Sequence, residues 1–326
     1  MIDDGLGEIL GEEYVKKYFS EESKLRLDEM IRYFKQTLND MIRESDWMED
    51  ETKTKALEKL ESIKWKIGYP VKYEDMSNLK LNYDYTFLGS VAKISEWWYY
   101  RNGKELFKNV DLDKWEMYPH QVNAYYHPLL NEIVFPAAIL QNPFFDMEKN
   151  DNFNYGGIGV VIAHEITHGF DDQGKRFDAE GNMVNWWTEN DERKFQEEAS
   201  KLVKQFDELE IYDMKLNGKL TLGENLADLG GVRISLEALR RKKLKEGLEL
   251  SVEDKKEFFE SFARIWANLC RKEEGQKLVK TDPHSPGLYR VNGILPHVKE
   301  FMECYCITKD NEMYLEEDCR CKLWSV

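Results

Sequence analysis

His164-Glu165-Ile166-Thr167-His168 constrains this chain more than any other stretch of it. An α-helix turns once in 3.6 residues, so side chains four apart lie one above the other on the same face. On a helix the two imidazoles face one point, and both can grip a single metal ion. The residues before them, Asn154-Tyr155-Gly156-Gly157-Ile158-Gly159-Val160-Val161-Ile162-Ala163, form an apolar segment suited to a buried helix. Polar groups emerging from such a helix are costly unless metal or hydrogen bonds satisfy them. Zinc takes nitrogen ligands in a tetrahedral shell, and a catalytic site leaves one position open for water. Glu165 is then placed to take a proton from that water.

Two histidines under-hold a zinc ion, so a third ligand is needed. Thr221-Leu222-Gly223-Glu224-Asn225-Leu226-Ala227-Asp228-Leu229-Gly230-Gly231 offers two carboxylates at i and i+4, again on one helical face. Glu224 can reach the metal while Asp228 reaches the outer nitrogen of a ligating ring, which fixes its tautomer and orientation. Leu222, Leu226, Leu229 and the glycine pair indicate a packed helix rather than a solvated one.

These blocks belong to a longer ordered set: VNAYY (122–126), NEIVFPAAILQNPFFD (131–146), NYGGIGVVIAHEITHGFDDQG (154–174), NWWT (185–188), LGENLADLGG (222–231) and KTDPHSPGLYRVNG (280–293). In this order they resemble the neprilysin family of zinc metallopeptidases. Weaker blocks at 14–42, 46–70 and 113–126 and the terminal Cys-x-Cys-Lys-Leu-Trp extend the resemblance over nearly the whole chain.

The resemblance implies one Zn2+ per chain, held by His164, His168 and Glu224, with Glu165 as general base. It implies that Asp228 and Asp171 orient His164 and His168, and that His284 stabilises the oxyanion. Arg290 matches the arginine that bonds a substrate carbonyl, and Asn123 and Ala124 match the pair that holds the peptide backbone as an added strand. Ile139, Phe144, Val160, Val161, Ile265 and Trp266 fall where the family lines the pocket for the residue after the scissile bond. Zinc is preferred over other divalent metals from ligand type and family, since affinity order alone favours copper.

The fold expected is mainly α with a small β-sheet, a thermolysin-like catalytic domain. Apolar periodicity marks helices over 25–42, 52–67, 86–107, 154–170, 189–209, 225–245 and 255–270, and strands over 121–126 and 132–135. Residues 1–118 read as a helical region leading into a catalytic domain over 119–326, or the two form one continuous domain. Sixty-two acidic against 46 basic residues, a net charge of −16, argue against a nucleic-acid partner. No apolar run approaches the roughly 20 residues of a membrane helix, and Met1 to Glu8 lacks the basic start and apolar core of a signal peptide. With five cysteines, an odd number, this favours a cytoplasmic location. Cys304, Cys306, Cys319 and Cys321 are expected as free thiols or local disulfides, ahead of a second metal site. By the resemblance, a cysteine beside the terminal tryptophan pairs with one in the catalytic domain; that partner position holds Lys201 here.

Family members carry several hundred residues before this region, forming a helical lid over the active site. That lid is largely absent here, so the chain is a fragment or a lidless form, with a more open cleft and surface left for a lid-supplying partner. The expected function is zinc endopeptidase action on peptides, cutting on the amino side of hydrophobic residues. The alternative is a peptide-binding or interaction protein that keeps the zinc site with little or no turnover, or a module that needs a lid partner.

Overall fold

Apolar residues at helical spacing dominate the chain, and the computed structural model, which describes residues 2–325, is built mainly of helices around one small sheet. Helices α1 (Ile2–Tyr18), α2 (Glu21–Glu44) and α3 (Asp50–Ser62) come first, followed by strand β1 (Lys64–Gly68) and helix α4 (Phe87–Glu105). Strands β2 (Tyr125–His127) and β3 (Glu132–Pro136) complete a sheet of order β1-β3-β2. β3 is buried throughout; β1 runs parallel to it and β2 antiparallel, leaving β2 at an edge.

Helix α5 (Asp151–Asn154) leads through a π-helical turn (Tyr155–Gly159) into α6 (Val160–His168). Then come α7 (Glu189–Glu208), the hairpin β4 (Glu210–Ile211) and β5 (Met214–Lys215), α8 (Leu222–Lys245), α9 (Val252–Ile265), α10 (Lys272–Thr281), α11 (Gly287–Asn292) and α12 (Lys299–Cys304). Side-chain caps from Ser20, Thr188 and Ser251 open α2, α7 and α9, each satisfying a donor that the first helical turn leaves free.

Several expected boundaries are corrected. The helix expected over 52–67 stops at Ser62, because Lys64 donates to the Asn131 carbonyl and the chain pairs with β3, Lys64 opposite Glu132. The strand expected over 121–126 forms only at Tyr125–His127, so Asn123 and Ala124 lie just before it. The helix over 154–170 is interrupted by the π turn, whose Ile158 amide bonds the Phe144 carbonyl. The helix over 255–270 ends at Ile265. Helices α1, α10, α11 and α12 are not marked by the periodicity.

Helix α2 lays Leu27, Ile31, Phe34 and Leu38 into the core, and α6 and α8 pack closely against each other. Gly230 and Gly231 permit that approach. A β-carbon on Gly231 would stand 2.7 Å from the Val160 carbonyl oxygen and one on Gly230 2.6 Å from the Thr167 side chain. Helix α4, by contrast, has no buried residue and exposes Phe87, Leu88, Tyr99 and Tyr100.

The C-terminal segment is clasped to this core. Arg233 on α8 donates to the carbonyls of His297 and Cys321, at 2.6 and 2.8 Å, and to that of Leu323. The Trp324 ring packs on Phe170, directly after α6. All five cysteines are free thiols; burial pushes Cys321 up to about 11. Lys201 instead pairs with Glu198 and donates to the Arg320 carbonyl. No helix among the described residues is long and apolar enough to cross a membrane.

His297 is buried in the clasp, its Nδ1 accepting from the Cys321 amide at 2.9 Å and its Nε2 facing the Gln205 carbonyl oxygen. Burial, reinforced by the Arg233 charge, pushes its pKa down from 6.5 to about 3. The unfolded chain therefore binds a proton that the folded chain refuses, and stability falls as pH drops from about 6.5. One proton amounts to a slope of about 1.4 kcal/mol per pH unit. His297→Gln should be less stable than wild type at pH 7.5, with the gap narrowing by pH 5 in urea unfolding. A gap independent of pH would rule the contribution out.

Candidate metal centre

The site stands where α6 and α8 face each other. Two consecutive helical turns of α6 place His164 and His168 with ring centroids 4.5 Å apart and planes nearly perpendicular. The first turn of α8 brings Glu224 to them, its Oε2 3.2 Å from His164 Nε2 and its Oε1 3.6 Å from His168 Nε2. One ligand atom from each residue lies within 4.8 Å of the other two, and among the described residues this is the one such group of histidine, cysteine and carboxylate side chains.

The outer nitrogens are already committed. His164 Nδ1 meets Asp228 Oδ1 at 2.9 Å, and His168 Nδ1 meets Asp171 Oδ2 at 2.6 Å. Each imidazole thereby keeps its inner Nε2 as the free ligand atom. Asp228 sits one turn beyond Glu224 on α8, as the i and i+4 spacing requires. Asp171 is fixed by the backbone after α6, accepting at Oδ1 from the amides of Gln173 and Gly174.

Electrostatics sharpen the arrangement. Burial works to raise the Glu224 pKa, but the two imidazoles beside it hold the carboxylate far below its usual range. Burial works to lower His168, yet Asp171 and Glu224 place it well above 6.5; His164 is raised in the same way by Asp228 and Glu224. Asp228, despite burial, is held low by Arg290. Arg290 grips it through Nε and Nη2, at 2.7 and 2.6 Å, and lies 3.6 Å above the Trp266 ring. Burial first, then the Glu224 charge, raises Glu165.

Whether a metal fits can be judged from the donors themselves. Glu224 Oε2 is buried and lacks a hydrogen-bond partner, although two Nε2 atoms lie beside it. Such an orphaned buried acceptor is expensive. A cation held between His164, His168 and Glu224 would satisfy it. Two imidazoles and one carboxylate are the donor set of one class of catalytic zinc site.

A cleft of about 450 Å³ opens over these groups. Its wall holds Glu165, His284, Arg290, Asn123 and Ala124, and the apolar Ile139, Phe144, Val160, Val161 and Trp266. Ile265 is the exception among the expected pocket residues: it closes α9 with 8% exposure and belongs to the core rather than the cleft wall. His284 is half-exposed, with Nε2 3.3 Å from Glu224 Oε2. Asp282 holds its Nδ1 at 2.7 Å, an orienting role that the sequence reading missed and that the Asp-Pro-His spacing could have suggested. The dual grip of Arg290 on Asp228 was also missed, since 62 residues separate the two. A larger groove of about 1300 Å³ near α1 and α4 mixes Lys72, Arg101 and Lys114 with Glu74, Glu105 and Glu116. Among the described residues it brings together no comparable donor set.

A helical body carrying two histidines one turn apart, closed by a glutamate from a second helix, defines the H-E-x-x-H metallopeptidase architecture. Comparison with known proteins agrees: residues 123–321 and 1–70 both match profiles described as peptidase family M13, and the chain belongs to that family. It is 36% identical over 317 residues to the neutral endopeptidase of Lactococcus lactis subsp. lactis (strain IL1403), covering 97% of this chain and 49% of that protein. It is 35% identical over 339 residues to neprilysin of Mus musculus, covering 99% and 45%. Its fold superposes on the inhibitor complex of Mycobacterium tuberculosis zinc metalloprotease Zmp1 with a TM-score of 0.91 at 36% identity, covering 99% of this chain and 50% of that one. The chain thus spans about half the length of the curated relatives it matches.

Proposed function

We propose that this chain is the catalytic part of a zinc-dependent endopeptidase that cuts peptides on the amino side of hydrophobic residues. The convergence of His164 Nε2 and His168 Nε2 on the Glu224 carboxylate, one on each oxygen, with Glu165 on the same cleft wall, carries the reading. His164, His168 and Glu224 would hold one zinc ion. When bound, zinc would supply a Lewis acid for the scissile carbonyl and acidify the attacking water.

The chain's own groups do the rest. Glu165 takes the proton from the attacking water and passes it towards the leaving amine. His284, held by Asp282, donates to the oxyanion as charge develops on it. Arg290 offers the guanidinium edge not engaged by Asp228 to a substrate carbonyl. Asn123 and Ala124, just before edge strand β2, align the peptide as an added strand. Ile139, Phe144, Val160, Val161 and Trp266 form the apolar wall that favours a hydrophobic side chain after the scissile bond.

Exposure of Phe87, Leu88, Tyr99 and Tyr100 on α4 favours a second reading, in which turnover requires a covering lid or partner. One assay separates the two. The purified chain is given a short quenched-fluorescent peptide with a central phenylalanine or leucine, with chelator and then added zinc. Cleavage that chelator stops and zinc restores is expected. One bound zinc without cleavage would overturn independent activity and leave the second reading.

A further inference from the structure

We infer that Lys59 is a positioning residue for the metal centre: its ammonium group, carried on helix α3, fixes the 171–177 turn that holds Asp171 against His168. The inference rests on the zinc reading above and extends it to a residue outside the catalytic blocks.

Lys59 is 1% exposed, one of the largest fully buried side chains in the protein. A lysine is almost never buried so completely without a charged partner, yet no carboxylate lies within ion-pair distance of it among the described residues. Its Nζ instead donates to the carbonyls of Gly174 and Phe177, both at 2.7 Å. The rings of Tyr126, Phe170 and Trp186 surround it at 5.7 to 6.0 Å from their centroids. This is a built socket.

From that socket a short chain of contacts leads to the metal ligand. The Gly174 residue whose carbonyl accepts from Lys59 donates its own amide to Asp171 Oδ1 at 2.7 Å. The other oxygen of Asp171 holds His168 Nδ1 at 2.6 Å. Gly174 is also pressed against the backbone of His168, since a β-carbon on it would stand 1.7 Å from the His168 carbonyl oxygen. Displacing the turn therefore displaces the carboxylate that orients the ring. Burial pushes Lys59 down to about 7, opposed by Asp171 and Asp178. Either protonation state still supplies the two N–H donors that the two carbonyls need.

Lys59→Met keeps the volume and removes the donors, leaving two turn carbonyls without their partner. Partners behind a metal-ligating histidine are typically worth 10- to 100-fold in metal affinity. The test is zinc affinity by chelator competition for the full chain, in wild type, Lys59→Met, Asp171→Asn and the double variant, with folding checked by circular dichroism. We expect Lys59→Met to weaken zinc at least about tenfold, and the double variant to be no more than about threefold weaker than Asp171→Asn alone. A role in stability alone gives losses that multiply, and that outcome overturns the inference. So does wild-type affinity in folded Lys59→Met. If Lys59→Met does not fold, Lys59→Leu, which also removes the donors, goes through the same cycle under the same criteria. Failure of the wild type to bind zinc defeats the zinc reading itself, whereas wild-type binding with an unaffected variant defeats only this inference.

Discussion

Glu165→Gln is expected to bind zinc like the wild type while losing peptide hydrolysis by about 100- to 10,000-fold, the range for a removed general base. Glu165 follows His164 on α6 but is not one of the three residues whose ligand atoms converge. Its side chain lies on the cleft wall with the substrate-facing groups. Glutamine keeps the shape and the hydrogen-bonding reach but cannot accept the water's proton. Zinc stoichiometry and initial rates on the same preparation decide the matter. A variant that keeps more than about a tenth of wild-type activity would remove Glu165 from the mechanism. One that loses its zinc would show that Glu165 supports the metal instead.

The features of the site that local periodicity encodes were legible in the sequence. His164 with His168, and Glu224 with Asp228, sit at helical spacing, and the structure places each pair on one helical face directed at the cleft. Asp171 was placed by the resemblance, and the turn geometry supplies its cause: two backbone amides hold one oxygen so that the other meets His168. Features that depend on a distant partner were not legible. Strand β1 exists because β3 lies beside it, not because Trp65 and Ile67 differ from a helical pattern. The π turn at 155–159 depends on a carbonyl from Phe144. Ile265 is apolar and next to Trp266, yet neighbouring side chains on a helix point in different directions, so one reaches the cleft and the other the core.

The same division explains why Lys59 escaped notice. In Asp50–Ser62 it is one of three lysines on a polar helix, and its residue type does not separate it from the part-buried Lys53 or the exposed Lys55. Only the packing of α3 against the turn after α6 turns it inward, 115 residues from its acceptor. The segment matched by the N-terminal profile thus contributes to the surroundings of the metal ligands in the segment matched by the other.

Glu224→Gln should have the larger effect on the metal itself, lowering zinc affinity by more than the 10- to 100-fold expected for Asp171→Asn or Asp228→Asn. The carboxylate is the one anionic ligand among the three, and its Oε2 is the buried atom with no other partner. Glutamine fills the same space with a neutral amide, which ligates poorly and turns two donor hydrogens towards the imidazoles. Loss of an orienting carboxylate, by comparison, leaves all three ligands in place and relaxes one ring, together with Arg290 where the carboxylate is that of Asp228. The order of the three affinities is therefore the informative result, with hydrolysis following zinc occupancy in each variant. If Glu224→Gln held zinc as tightly as Asp228→Asn does, α8 would be supplying orientation rather than a ligand. The third donor would then have to come from α6 or the turn after it, where Glu165 and Asp171 carry the carboxylates.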